Sequence, residues 1–156
     1  MTTKRARART PLAVVHETLE GYARRGVFGA FHQDGPRFRF TWLWHLPFRL
    51  HFDARRHAIA FPALFPKSAS IATELRRFVR GCGSKERVEH RRIDPSRLKV
   101  SWVRSRGAMS LVCTVQDGDY ESGVKKAINL VSEIFLSFLN AEHPQYLVEQ
   151  FQRPED

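Results

Sequence analysis

Several groups of residues in this sequence have types and spacings that could do chemistry. His16-Glu17-Thr18-Leu19-Glu20 carries the first half of a zincin motif, and His16 and Glu20 would share a helix face. The second histidine is missing, so the spacing predicts a solvated helix face. Asp117, Asp119 and Glu121 open like a calcium loop, but the sixth position is Ser122 instead of glycine and the twelfth is Ile128 instead of glutamate. They read better as negative charge at a helix start, where the dipole favours it. Gly81-Cys82-Gly83-Ser84-Lys85 has the glycines and lysine of a phosphate loop, yet it follows a helical pattern and reverses the lysine–serine order, so it predicts helix termination. Arg25-Gly26-Val27-Phe28-Gly29-Ala30-Phe31 approximates the aromatic signature of RNA-recognition motifs with one residue too many and only a helix before it. There is no Gly-x-Ser-x-Gly elbow. Cys113 falls on the inward side of a strand pattern, and Cys82 is too distant from it for a redox pair. Among the seven histidines only His51 sits beside a carboxylate, Asp53, on one side of a strand. These patterns predict a protein that is not an enzyme and that uses no metal or cofactor.

The elements that would position such residues follow from periodicity. Residues 1–10 are predicted to be a basic flexible arm. Leu12, Val15, Leu19 and Tyr22 recur at helical spacing, so a helix runs from Pro11 to about Arg25, with Gly26 after its end. From residue 37 the period becomes two. Phe38, Phe40, Trp42 and Trp44 alternate with Arg37, Arg39 and Thr41, then Phe48, Leu50 and Phe52 alternate with Arg49, His51 and Asp53. A third short strand covers Ala58 to Phe61 and is ended by Pro62 and Pro66. Ser68 or Ser70 would cap a second helix carrying Ile71, Leu75, Phe78 and Val79, which stops at Gly81. A strand is predicted near Val88 to Ile93. Leu98, Val100 and Trp102, alternating with Arg97, Lys99 and Ser101, then form a hairpin with Met109, Leu111, Cys113 and Val115 across Arg104-Ser105-Arg106-Gly107. Val124, Ile128, Val131, Ile134, Phe135 and Phe138 make an apolar helical stripe to about Asn140, and Tyr146, Leu147, Val148 and Phe151 form a last packed turn.

The order α-β-β-β-α-β-β-β-α predicts an α+β fold. It would be a two-layer sandwich in which a mainly antiparallel sheet of about five to six strands carries its helices on one face. One domain spans residues 11–151, and 152–156 form a tail. A chain of 156 residues can bury such a core without disulfides or metals. No apolar run approaches the ~18 residues of a membrane span, no signal-type segment follows the basic start, and the sparse cysteines suit a reducing compartment. The expected location is the cytoplasm.

The net charge of +10 is unevenly distributed. Residues 1–106 hold 23 basic and 8 acidic side chains, a net of +15, whereas residues 107–156 hold 3 and 8, a net of −5. If the aromatic sides of the strands face the helices, the opposite sides place Arg37, Arg39, Arg49, His51, Arg97 and Lys99 on the outer face of the sheet. That pattern predicts a docking surface for an acidic partner or for nucleic acid. Lys4, Arg5, Arg7 and Arg9 of the arm and Arg91, Arg92, Arg104 and Arg106 would extend it.

In its element order the chain resembles the YbjN-like group, whose fold is that of type III secretion chaperones. The resemblance spans about residues 11–151. It rests on the strand pairs Arg37 to Trp44 and Phe48 to Asp53, on the hairpin Leu98 to Val115, and on the run from Asp119-Tyr120 through Val124, Ile128, Val131, Ile134-Phe135-Leu136 and Phe138-Leu139. It implies a non-enzymatic, dimeric protein that holds other polypeptides or acts in regulation. The expected function is therefore a non-catalytic, chaperone-like or regulatory interaction module with a protein partner and a homodimeric state. A nucleic-acid-binding protein using the arginine-rich face and basic arm is the alternative.

Overall fold

A computed structural model describes residues 9–82 and 93–151. Helix α1 (Pro11–Arg24) begins where Thr10 accepts a hydrogen bond from the Ala13 amide through its hydroxyl, at 3.1 Å. Proline at the first helical position costs nothing there because its missing N–H has no partner to lose. The helix ends before Gly26, whose φ of 81° lies in the left-handed region that glycine adopts without strain. Val15 and Leu19 are its buried face.

Four strands follow: β1 (Gly29–Asp34), β2 (Arg37–Trp42), β3 (Leu46–Asp53) and β4 (Ala58–Phe65). A 3-10 turn (Ser68–Ser70) leads into α2 (Ala72–Gly81). Strands β5 (Leu98–Ser105) and β6 (Ala108–Val115) form a hairpin, and α3 (Tyr120–Glu133) continues through a π-helical segment (Ile134–Leu139) into α4 (Asn140–Glu142). The last helix is α5 (Pro144–Phe151). The described strands form one antiparallel sheet of six, ordered β1-β2-β3-β4-β6-β5. This is the predicted two-layer α+β sandwich.

Four local expectations differ. A strand, β1, occupies the segment whose aromatic signature lacked a strand context, so four strands, not three, precede α2. Strand β2 stops at Trp42, because Leu43, Trp44 and His45 all take positive φ (49°, 61° and 62°) and turn the chain back. Such angles strain non-glycine residues, so tertiary packing overrides local preference here. Strand β4 passes through Pro62, because the pairing with β6 breaks register between Phe61 and Phe65, where a missing amide N–H removes no regular ladder bond. Finally, neither Ser68 nor Ser70 caps α2. Ser68 is buried and gives both its amide and its hydroxyl to the Gly107 carbonyl, at 2.9 and 3.2 Å. That pair of bonds pins the start of α2 to the β5–β6 turn, in which Arg106 and Gly107 both have φ above zero, as a two-residue type I′ turn requires.

The strand expected near Val88 to Ile93 lies outside the described residues except for Ile93, which is buried and extends no strand. Its amide donates to the Cys82 carbonyl at 2.8 Å, which joins the end of α2 to the approach to β5. The arm and tail also lie outside the described residues, apart from Arg9, which pairs with Glu17, and the capping Thr10.

The core lies between the sheet and the helices. Phe38, Phe61, Phe65 and Phe135 are fully buried, and the Phe135 ring meets Phe48 edge-on at 5.3 Å and stacks with Phe65 at 5.8 Å. Helix α3 approaches the sheet closely because Gly123 has no side chain. A Cβ at Gly123 would stand 2.7 Å from Cγ2 of Val115, with Leu98 and Ile59 just beyond. Gly123→Val is expected to destabilise the fold by about 1–3 kcal/mol through overpacking, read as a melting temperature lower by several degrees. Gly81→Ala, where a Cβ would meet nothing within 4 Å, should leave the melting temperature unchanged or raise it. Equal effects of the two substitutions would refute the close helix–sheet contact.

Candidate interaction face

The strand register decides which side chains share the face of the sheet that is uncovered among the described residues. Phe38, Phe40 and Trp42 of β2 lie opposite Leu50, Phe48 and Leu46 of β3, and all six are buried toward the helices. The intervening pairs therefore point away from the helix layer: Arg37 opposite His51, and Arg39 opposite Arg49. On the next strand, β1, His32 lies opposite Arg39 and Asp34 opposite Arg37. Four of the residues singled out in the sequence, Arg37, Arg39, Arg49 and His51, thus sit together on two adjacent strands.

The pair Arg39–Arg49 is electrostatically costly. Two like charges lie directly across an antiparallel ladder, an arrangement that opposes pairing. Among the described residues no carboxylate lies within salt-bridge distance of Arg37, Arg39 or Arg49. Arg49 donates from Nη2 to the Pro62 carbonyl, at 3.3 Å. Burial, then the nearby charges of Arg37 and Arg49, lower the pKa of His51, which is therefore neutral at neutral pH. Asp53, the acid expected near this group, is engaged elsewhere: its Oδ1 accepts the amides of Arg55 and Arg56 and shapes the β3–β4 turn.

The other two singled-out residues stand apart. Lys99 is on β5, opposite Thr114, which in turn lies opposite Ala58 and, across β4, Asp53. Three strand spacings therefore separate it from β3, about 14 Å at ~4.8 Å per strand. Arg97 precedes β5 and turns toward the start of α3. Its Nε donates to Asp117 Oδ2 at 2.6 Å and its Nη2 to Asp119 Oδ2 at 3.2 Å. Asp119 is also the N-cap of α3, accepting from the Ser122 amide at 3.0 Å. Arg97 thus clamps the helix start to the sheet, and the Asp117–Glu121 acids serve the helix as their positions predict.

Between the arginine group and Lys99 the face is small and apolar, a feature that the charge pattern alone did not reveal. Ala60 and Pro62 of β4 and Val112 of β6 are partly exposed there, and Val103 of β5 is 51% exposed. The signal was available in the alternation Ala58-Ile59-Ala60-Phe61, whose small members had to face outward once the large ones faced in. No aromatic side chain of β2 or β3 joins the uncovered side, because Phe38, Phe40, Trp42, Phe48 and Phe52 are all buried in the core.

The remaining reactive groups are built into the structure. Burial pushes the Cys113 thiol up to about 12, which removes thiolate character. His57 Nδ1 and the Tyr120 hydroxyl share a hydrogen bond at 2.5 Å, and Tyr146 donates to the Pro66 carbonyl. His16 and Glu20 approach to 3.7 Å on α1. Among the described residues no three His, Cys, Asp or Glu side chains converge on a metal-sized site, and no helix is long and apolar enough to cross a membrane.

The guanidinium hydrogen bond from Arg97, followed by the bond from the Asp119 amide, holds the Asp117 carboxyl below its usual range. A depressed carboxylate stabilises the fold at pH values above its unfolded pKa and loses that contribution as pH falls through the folded value. Arg97→Gln should therefore melt earlier than wild type at neutral pH, and the gap should close once acid protonates Asp117 in both states. A gap that persists unchanged into strong acid would show that the clamp does not act through the carboxylates. Comparison with known protein families, curated proteins and solved structures returns no match to this chain.

Proposed function

We propose that this protein is a non-catalytic interaction module that docks an acidic, partly apolar polypeptide segment on its uncovered sheet face. The observation that carries this reading is the Arg39–Arg49 pair, two unneutralised cations opposite one another beside Arg37 and His51. A bound carboxylate would neutralise a repulsion that the fold itself leaves in place, and Arg side chains suit forked carboxylate contacts. The adjoining Ala60, Pro62 and Val112 surface supports a polypeptide over a nucleic acid, since it offers apolar contact and no Phe, Tyr or Trp ring of β2 or β3 on which bases could stack. The resemblance to chaperone-like proteins that hold other polypeptides points the same way.

The test uses a fluorescent poly-glutamate peptide as an anionic probe, with a single-stranded oligonucleotide as competitor. Arg39→Glu should weaken peptide binding about tenfold or more while raising stability by about 0.2–1 kcal/mol, because an opposite-charge pair replaces a like-charge one. Loss of binding together with loss of stability, or no change in binding, would sink the reading. Tighter capture of the oligonucleotide, with affinity falling steeply as salt rises, would assign the face to nucleic acid instead. In a nuclear magnetic resonance titration, peptide binding should raise the His51 pKa, since bound anions offset the Arg37 and Arg49 charges that lower it. Binding should correspondingly strengthen as pH falls through the His51 titration.

A further inference from the structure

Among the described residues, the helix layer stops short of one edge of the sheet. Among the described residues, strand β5 is terminal in the sheet and pairs with β6 on one side only. Its inward-facing Val100 and Trp102 stay partly exposed, whereas their partners on β6, Cys113 and Leu111, are fully buried. Helix α2 and β5 face each other across a groove of about 360 Å³. Val79, Val100 and Trp102 give it an apolar floor, and Arg76, Arg80 and Lys99 stand around it, with no acidic residue in the lining among the described residues. Among the described residues none of these three cations is paired with a carboxylate.

We propose that the groove between α2 and β5 binds an extended acidic peptide that adds as a strand to the outer edge of β5. An edge strand presents a row of backbone N–H and C=O groups, and among the described residues no segment other than β6 bonds to the strand between Lys99 and Arg104. The eight residues of β5 span about 27 Å, enough to register several ligand residues. Val100 and Trp102 are two residues apart and face the same side, so alternate side chains of an added strand would rest on them. Backbone bonds along an edge supply affinity and pockets for alternate side chains supply specificity. The remaining side chains of the added strand would point to the side of Lys99, which selects acidic ones by charge, while Arg76 and Arg80 on the α2 side suit a terminal carboxylate. This site lies at the sheet edge, apart from the Arg39–Arg49 group, and does not rest on the function proposed for that face.

The test is selection of short random peptides on the whole protein, with the R76E/R80E/K99E variant as counter-target. Enriched sequences should alternate apolar residues with Asp or Glu, bind the variant about tenfold or more weakly, and shift amide resonances of β5 and α2. The same peptides with alternate backbone nitrogens methylated cannot complete a ladder, and the wild-type protein should no longer bind them. This arm is independent of how well the variant folds. The proposal is overturned if no peptide is enriched, if methylated peptides bind as tightly, if the variant binds equally well, or if the shifts map to β2 and β3.

Discussion

The seating of α3 on the sheet at Gly123 governs the rest of the structure. A helix can lie this close to β6 only where a side chain is missing, and that contact brings the α3 stripe down onto Ile59, Leu98 and Val115. Arg97 fixes the angle from the other side by bridging the sheet to Asp117 and Asp119 at the helix start. With α3 anchored, Phe135 reaches both Phe48 and Phe65, and α1 packs against α3 to finish the layer. Apolar packing supplies the strength and the clamp supplies the geometry.

One-sided coverage follows from this arrangement, and it separates two kinds of surface. On the helix side the aromatic residues of β2 and β3 are consumed by the core. On the far side the same register forces charged and small residues outward, so the arginines are neighbours because the aromatics are neighbours. The fold therefore cannot move Arg39 away from Arg49 without also breaking the Phe38–Leu50 and Phe40–Phe48 pairs that flank them. Their proximity is inherited from the core.

Periodicity made the sandwich, the hairpin and the sidedness of β2 and β3 legible in the sequence. It placed Arg37, Arg39, Arg49 and His51 together because period two is insensitive to a residue or two of error at strand ends. It failed where the chain departs from regular backbone. β1 has only Phe31 and Gln33 facing inward, both partly exposed, too weak an alternation to read. The left-handed run at Leu43 to His45 has no glycine or asparagine to announce it. Arg97 alternates correctly with Leu98, yet it precedes β5, and its long side chain answers to two carboxylates that are distant in sequence. Long-range partners of that kind leave no local trace, and the same holds for the shortfall of helix cover over Val100 and Trp102.

The bond from the Ile93 amide to the Cys82 carbonyl fastens the two walls of the α2–β5 groove to each other at its base. That single backbone contact joins two positions eleven residues apart in sequence, so the end of α2 and the approach to β5 are held at one distance there. Ile93 lies outside both α2 and β5 yet lines the groove between them, so the width of the groove at that end is set by a residue that belongs to neither wall.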